Sequence, residues 1–392
     1  MSSRKAESLR QHLGVRLEDA WHAFREANGR ERGMVPTVLP FRGYGRSESA
    51  EDGWVRILAR IVVASPQPFR HGVPRSRVVA DGVRGWRNFI SPPIPYAEAT
   101  VTIAGGEHLV RADRGGVLDA RIATRLGPGW HTVTLSAEGS AEVRARVFVV
   151  DASCEFGLLS DVDDTVVVTA LPRPLLAAWN SFVLDEHARV ATPGMAVMME
   201  RVLRGRPGAP VLYLSTGAWN VAPTLSRFLA RNLFPEGPLL LTDWGPVETG
   251  ASGGRWFRSG AQHKVDQLRR LAEEFPQVKW LLIGDDGQHD PEIYAGFAQR
   301  YPQNVKAIVI RQLTPSEAVL AGGRSQRTVN STPGIDWVYA PDGAHILSEL
   351  QRLGIVSDEE QHVEHQERRR LRQQWPEGEP QGEQEEQEVH AR

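Results

Sequence analysis

Short apolar runs alternate with helical patterns from residue 151 to about residue 353. Runs of this length predict buried strands, and the spacing of apolar residues between them predicts amphipathic helices, most clearly at 192–203 and 262–275. Strands that are each followed by a helix pair in parallel, because the helix returns the chain to the edge where the strand began. The sequence therefore predicts an α/β fold with a parallel sheet. Its candidate strands are 156–160, 211–215, 238–242, 280–284 and 307–310.

A different pattern fills residues 54–150, where apolar and polar residues alternate with the period of two that is typical of strands. Glycine-rich turn signals separate these runs, and several short strands at such spacing predict an all-β sandwich domain. Residues 1–53 predict an N-terminal helix and a linker. Packing of this helix on the next domain and docking of it on a membrane or partner both stay open. Residues 354–392 predict a disordered charged tail, with almost no large apolar side chains, that can bind protein.

Composition restricts the class of protein. The 392 residues carry a formal net charge of −2, which gives no indication of nucleic-acid binding. The single cysteine, Cys154, cannot form an intramolecular disulfide, which fits a reducing compartment. The first residues lack the apolar core of a signal peptide, and no apolar run approaches the roughly 20 residues that cross a bilayer. We therefore expect a cytoplasmic protein, with peripheral contact to a membrane as an open alternative.

The first predicted strand of the parallel sheet leads directly into Asp161 and Asp163. Alternate residues of an extended chain point to the same side, so we expect the two carboxylates to face one position. Two convergent carboxylates repel each other unless a cation or a proton lies between them. Open α/β sheets bind ligands at the carboxyl ends of their strands. The pair therefore predicts a metal-assisted reaction at that edge.

Three further groups of polar residues follow in chain order. The second strand ends in Ser215, with Thr216 and Gly217 behind it, and such a turn offers a hydroxyl and free backbone N–H groups to an anion. Lys264 lies at the start of a predicted helix. The fourth strand ends in a second acidic group, which consists of Asp285, Asp286 and Asp290.

Together these groups supply the parts of phosphoryl transfer. They offer a carboxylate nucleophile, an acid/base, a hydroxyl and an ammonium for phosphoryl oxygens, and acids for a metal. Oxygen-only ligands suit a hard cation such as Mg²⁺ better than Zn²⁺. Taken singly, each group also has an ordinary structural role: Ser215 can cap a helix, Lys264 can be solvated, and the acids after the fourth strand can form a turn.

The order Asp-x-Asp-x-Thr, strand-Ser, Lys and Gly-Asp-x-x-x-x-Asp resembles the haloacid dehalogenase superfamily of phosphohydrolases. Within it, the segments 158–165, 263–264 and 283–294 look like the actin-patch-type phosphatidate phosphatase family. The resemblance covers about 151–320. It implies a haloacid dehalogenase-like Rossmannoid sheet, placed here at 151–353, that follows the all-β sandwich.

The resemblance also implies roles for the site residues. Asp161 would be the nucleophile that forms an aspartyl-phosphate, and Asp163 would protonate the leaving alkoxide and then activate water. Ser215 and Lys264 would hold the phosphoryl oxygens. The Mg²⁺ ligands that it implies are the Asp161 carboxylate, the Asp163 backbone carbonyl and Asp285, supported by Asp286 or Asp290. Reasoning from the residues alone does not choose among Asp285, Asp286 and Asp290.

Two loops are candidates for contact with a lipid surface. One is 171–179; the other is 250–258, which carries Arg255 and Arg258 beside two aromatic residues. Arginine and tryptophan together suit a phosphate-rich interface, although ordinary packed loops are the alternative. We predict substrate contacts from Thr216, Gly217, Arg255 and Arg258.

The short gaps between the motifs leave no room for a large covering domain, and an open site favours a bulky or membrane-embedded substrate. With the family resemblance, this implies a Mg²⁺-dependent enzyme that converts phosphatidate to diacylglycerol and phosphate. Two alternatives stay open. One is the same chemistry on a soluble, nucleotide or protein phosphomonoester, and the other is a non-catalytic binding or scaffold module.

Overall fold

The computed structural model describes residues 33–47, 53–64, 91–168, 190–242, 260–287, 289–320, 323 and 332–357. Several predicted features lie outside the described residues: the N-terminal helix, the loops 171–179 and 250–258, and the charged tail beyond residue 357. The predicted start of the tail at residue 354 is corrected, because Ile355 and Val356 are buried and their N–H groups donate to the Leu350 carbonyl. In the part of the chain that is described, no helix combines the length and the apolar character that crossing a bilayer requires.

Eight strands form a largely antiparallel sheet among the described residues of the first half of the chain. They are β1 Val35–Pro40, β2 Gly43–Arg46, β3 Trp54–Ala64, β4 Glu98–Ile103, β5 Gly106–Arg111, β6 Val117–Ala123, β7 Gly129–Ala137 and β8 Val143–Val150. Their order is β1-β3-β2-β8-β7-β4-β5, with β6 paired to β3. All neighbours are antiparallel except β2 and β8.

One apolar core lies within this sheet. Buried side chains from six of its strands meet there, including Val38, Ile57, Val101, Leu118, Leu135 and Val147. The prediction of an all-β region is confirmed, whereas its division into the two packed layers of a sandwich stays a prediction. The sheet also begins earlier than expected, because β1 and β2 lie in the stretch predicted as a linker. That expectation is corrected: glycine, proline and arginine interrupt the alternation there, but the backbone still pairs with β3.

The second half of the chain forms the predicted parallel sheet. Its strands are β9 Phe156–Asp161, β12 Val211–Ala218, β13 Leu239–Thr242, β14 Lys279–Asp285, β15 Val305–Arg311 and β16 Trp337–Ala340, in the order β13-β12-β9-β14-β15-β16. A two-stranded ribbon consists of β10 Val167–Val168 and β11 Val190–Ala191. The described helices are α1 Met195–Leu203, α2 Ala222–Arg231, α3 Gly260–Glu274, α4 Asp290–Arg300, α5 Pro315–Leu320 and α6 Gly343–Arg352.

The strand order reverses between β9 and β14. The chain adds β12 and β13 on one side of β9, and then β14, β15 and β16 on the other. Such a reversal opens a crevice at the carboxyl ends of the two central strands. At the opposite, amino ends of these two strands, Gly157 makes room for Trp280, because a Cβ on it would lie 2.5 Å from the Trp280 ring. The mixed α/β class is confirmed.

A buried polar group joins the antiparallel sheet to the end of α3. The Tyr44 hydroxyl donates a hydrogen bond of 2.9 Å to Glu274 Oε2, and the Arg56 guanidinium pairs with the same carboxylate. Arg56 and Arg270 both pair with Asp119, at 2.5 and 2.8 Å. We call these five residues the Glu274 cluster. α3 therefore carries Lys264 near its start and is fastened to the antiparallel sheet at its end.

The described residues up to Ile346 form one compact unit, and those from Leu347 belong to a second. Within the first unit, Asp342 caps the start of α6, because its carboxylate accepts hydrogen bonds from the backbone N–H groups of Ala344 and His345.

Candidate functional site

Asp161 is the last residue of β9 and is buried at the carboxyl edge of the sheet. Its Oδ1 lies 2.7 Å from Lys264 Nζ, and the Thr165 hydroxyl donates to its Oδ2 at 3.4 Å. Because β9 stops at Asp161, Asp163 approaches from the following loop and not from an extended strand. Asp163 Oδ2 accepts a 2.8 Å hydrogen bond from the Ser215 hydroxyl. The structure thus brings the first two motifs together through Ser215.

Lys264 joins the third and fourth motifs to the first. Its ammonium lies between two carboxylates, 2.7 Å from Asp161 Oδ1 and 2.5 Å from Asp290 Oδ1. The residue is only 2% exposed, so water cannot replace either partner. α3 supplies the lysine and α4 begins with Asp290, which makes the contact a link between two helices across the end of β14.

Three carboxylates converge beside this ammonium. One oxygen from each of Asp161, Asp285 and Asp290 lies within 4.8 Å of the others, and all three side chains are buried. Gly284 makes room for this arrangement, because a Cβ on it would lie 2.6 Å from Asp290 Oδ2. The glycine of the Gly-Asp motif is therefore a packing requirement of the acidic group.

Burial and neighbouring charges shift the pKa values of Asp161, Asp285 and Lys264. Burial raises the pKa of the Asp161 carboxyl; the Lys264 ammonium opposes this, and neighbouring carboxylates raise it further. Burial and Asp290 likewise raise the pKa of Asp285. Burial alone would lower the pKa of Lys264, but Asp161 and Asp290 outweigh it and hold the pKa above its ordinary value. One ammonium thus faces three buried carboxylates.

A hard divalent cation fits this donor set. Asp285 Oδ1 accepts a 2.7 Å hydrogen bond from Gly287 N–H, whereas Asp285 Oδ2 is buried and has no hydrogen-bond partner among the described residues. A buried carboxylate oxygen without a partner is costly, and a cation would satisfy it. The converging oxygens of Asp161, Asp285 and Asp290 match the ligand preference of Mg²⁺.

The three candidate acids after β14 occupy different positions. Asp285 and Asp290 share the group with Asp161, whereas the Asp286 carboxylate accepts a 2.8 Å hydrogen bond from Leu313 N–H. This difference assigns Asp285 and Asp290, and not Asp286, to the converging oxygens. The expected support of a metal by Asp286 has no counterpart in the described geometry.

The turn after β12 places a hydroxyl beside the acids. The Ser215 hydroxyl accepts from Gly217 N–H at 3.0 Å while it donates to Asp163. Thr216 is half-buried and packs on the first residue of α3, since a Cβ on Gly260 would lie 2.6 Å from its Cγ2. Arg255 and Arg258, the other two predicted substrate contacts, lie outside the described residues.

Sequence reasoning missed Arg311 and Glu317. Arg311 ends β15, is 4% exposed, and donates a 2.7 Å hydrogen bond to the backbone carbonyl of Asp164. Its guanidinium also pairs with Glu317 at 2.8 Å. The available signal was a charged residue directly after an apolar strand, the same signal that marks Asp161 and Asp285.

One protein family matches the part of the chain that contains the candidate site. Residues 156–312 match the model of the family described as phosphatidate phosphatase APP1, catalytic domain. We call residues 156–312 the APP1-type segment. The match confirms the family that the motifs indicate, and the APP1-type segment contains every converging acid, Ser215 and Lys264.

The alignments with two related proteins are longer than the APP1-type segment. Phosphatidate phosphatase APP1 of Saccharomyces cerevisiae is 23% identical over 290 residues, which cover 71% of this chain and 48% of that protein. An uncharacterized protein of Schizosaccharomyces pombe is 27% identical over 168 residues, covering 40% of this chain and 25% of its own length. The chain thus spans about half the length, or less, of these relatives.

Among solved structures, a carbohydrate acetylesterase from Xanthomonas citri shares 11% sequence identity, with 71% of this chain and 70% of that chain covered and a TM-score of 0.25. The haloacid dehalogenase-like topology stays a prediction from the sequence motifs.

Proposed function

We propose that this chain is a Mg²⁺-dependent phosphatidate phosphatase that works through an aspartyl-phosphate on Asp161. The observation that carries the proposal is the buried contact of Lys264 with Asp161 and Asp290, beside Asp285, within the APP1-type segment. The name of the yeast relative supports phosphatidate as the substrate. The haloacid dehalogenase type of mechanism comes from the motif resemblance.

In the first step an oxygen of Asp161 attacks the phosphorus atom and forms a new O–P bond. The ester O–P bond breaks, and the departing diacylglycerol oxygen takes a proton from the Asp163 carboxyl. The hydrogen bond from Ser215 holds the Asp163 carboxyl toward the reacting groups. In the second step Asp163 removes a proton from water, whose oxygen attacks phosphorus and releases phosphate from Asp161. Asp163 is then protonated again, so that the cycle balances.

Lys264 has two roles in this scheme. Its ammonium lowers the pKa of Asp161 against the effect of burial and so favours the ionised nucleophile. It also places a positive charge where phosphoryl oxygens would bind. Asp161, Asp285 and Asp290, with the backbone carbonyl of Asp163, would hold Mg²⁺. When bound, that ion supplies electrostatic stabilisation of the charge on the transferring phosphoryl group.

Phosphate release from a panel of substrates tests the proposal. Purified wild-type protein with Mg²⁺ is given phosphatidate micelles, p-nitrophenyl phosphate and sugar phosphates, with the Asp161→Asn variant and chelated metal as controls. We expect release from phosphatidate in wild type only. Phosphate release from soluble esters alone would contradict a lipid substrate but would be consistent with the proposed phosphatase mechanism. No release from any ester would favour a binding or scaffold module. Cytoplasmic location, peripheral membrane contact and protein binding by residues 354–392 stay predictions.

A further inference from the structure

We propose that Arg311 is a positioning residue that fixes the loop carrying Asp163, and that Glu317 holds Arg311 for this task. The loop in question is 161–167, which we call the nucleophile loop. The kinetic part of this inference depends on the function proposed above, whereas its conformational part does not.

Asp164 gives the nucleophile loop its unusual shape. Its φ angle is +58°, in the left-handed region that costs a residue with a side chain roughly 1–2 kcal/mol. Asp164 N–H donates a hydrogen bond of 2.8 Å to the Val167 carbonyl. The N–H groups of Val166 and Val167 both donate to the Val162 carbonyl, each at 3.1 Å. This tight turn is what directs Asp163 back toward Ser215, so its stability decides where the Asp163 carboxyl lies.

Arg311 holds the turn from outside. One terminal nitrogen of its guanidinium donates to the Asp164 carbonyl at 2.7 Å, from a residue 147 positions away in sequence. Both Asp164 and Arg311 are buried, so the carbonyl would lose its partner without replacement by bulk water if the arginine were removed. The contact therefore ties the strained residue of the loop to the end of β15.

Glu317 fixes the other side of the guanidinium. Its Oε1 pairs with Arg311 at 2.8 Å, and its Oε2 accepts a 2.8 Å hydrogen bond from Thr314 N–H. The Thr314 hydroxyl accepts in turn from Glu317 N–H at 3.3 Å, which is the reciprocal arrangement of a capping box. The carboxylate is thus held by the first turn of α5 and presents one oxygen to the arginine.

The same strand end also holds the second acidic loop. Asp286 N–H donates to the Arg311 carbonyl at 3.0 Å, and Leu313 N–H donates to Asp286 Oδ1 at 2.8 Å. Residues 311–313 therefore contact both loops that carry the acids. Only a side chain with several donors in a fixed plane can serve the Asp164 carbonyl and Glu317 together, and lysine lacks this geometry.

Hydrogen exchange and steady-state kinetics on the full chain test the inference. The variants are Arg311→Lys, Arg311→Gln and Glu317→Gln. The matched control is Arg204→Gln, which breaks an exposed arginine–glutamate pair on α1. In Arg311→Lys we expect faster exchange at the amides of Asp164, Val166 and Val167, with unchanged exchange in β7. We expect kcat to fall roughly 10- to 100-fold with KM within about threefold, because misplacement of a catalytic group by about 1 Å costs that much.

The outcomes separate this inference from the proposed function. Unchanged exchange in the nucleophile loop of Arg311→Lys overturns the inference, whatever the activity. Faster exchange with unchanged kcat also overturns it, because the loop would then not need to be held. If wild type hydrolyses no ester, the proposed function fails, and the exchange experiment still decides whether Arg311 holds the loop. If Arg311→Gln does not fold, Arg311→Lys and Glu317→Gln carry the test, with a smaller effect expected for Glu317→Gln.

Discussion

The ammonium of Lys264 lies 2.7 Å from a carboxylate oxygen of Asp161, and both side chains are buried. The partners come from α3 and from the end of β9, which are separated by a long stretch of sequence. Their contact brings the third motif to the first and, through Asp290, to the fourth. The ammonium of Lys264 therefore joins two of the acids of the candidate site. Its removal should affect stability as well as activity.

Replacement of Lys264 by methionine should destabilise the protein by about 3 kcal/mol, because loss of one partner leaves buried charge uncompensated. Phosphate release should be lost as well. The control is Lys279→Met at the exposed start of β14, where little change is expected. Urea unfolding of the two variants measures the difference, and equal midpoints would show that the Lys264 contacts are not formed.

Mg²⁺ should raise the thermal unfolding midpoint of wild type, because a ligand that binds only the folded state stabilises it, by about 2.7 kcal/mol at 100 times its Kd. Asp285→Asn should abolish this increase, whereas Asp286→Asn should retain most of it, since the Asp286 carboxylate bonds Leu313 N–H. Thermal scans with and without Mg²⁺ make the comparison. Equal loss in both variants would contradict the assignment of Asp285.

Replacement of Ser215 by alanine should lower kcat roughly 10- to 100-fold, because the Asp163 carboxyl loses the donor that orients it and acid–base catalysis typically contributes at least that much. Thr224→Ala is the control, since it removes a buried hydroxyl on α2 that contacts Arg227 and not Asp163. Steady-state kinetics distinguish the two. Activity of Ser215→Ala equal to that of the control would show that this hydrogen bond does not serve the reaction.

The Glu274 cluster should make the free energy of unfolding depend on pH in the alkaline range. Burial, and next the Glu274 carboxylate, raise the pKa of Tyr44 above its ordinary value. A group whose pKa is raised on folding contributes its full stabilisation at pH values below its unfolded pKa, which is about 10 for tyrosine. As the pH rises above that value, the stabilisation decreases. Tyr44→Phe should therefore cost about 1.5 kcal/mol at pH 8, and the gap to wild type should narrow above pH 10. Denaturant unfolding at several pH values measures this, and a constant gap would contradict it.

Much of the parallel sheet could be predicted from the sequence, because strands buried on both faces leave continuous apolar runs. Five of its six strands lie where those runs are. β16 was missed, since Trp337–Ala340 has only four residues and mixes aromatic with small side chains. β1 and β2 were missed because short glycine- and proline-containing segments show no clear alternation. Their pairing depends on β3, which lies later in the chain.

The order of the sequence motifs was sufficient to predict which residues meet in the candidate site. Asp161, Asp163, Ser215 and Lys264 do lie together, because the carboxyl ends of parallel strands share one edge. The choice between Asp285 and Asp286 was not predictable, since it depends on a backbone N–H that only the pairing of β14 with β15 brings close.

The role of Arg311 could not be predicted either. Its partner is the backbone carbonyl of Asp164, and a carbonyl leaves no mark in the sequence. The left-handed conformation of Asp164 is equally invisible, because aspartate adopts many conformations in loops.

The central claim is that Asp161 becomes phosphorylated during turnover. The direct measurement is acid quenching of the reaction with radiolabelled phosphatidate and Mg²⁺, followed by mapping of protein-bound label. We predict a hydroxylamine-labile label on the peptide that contains Asp161 in wild type, and none in Asp161→Asn. Full turnover by Asp161→Asn, with no label on wild type at any time point, would contradict the account.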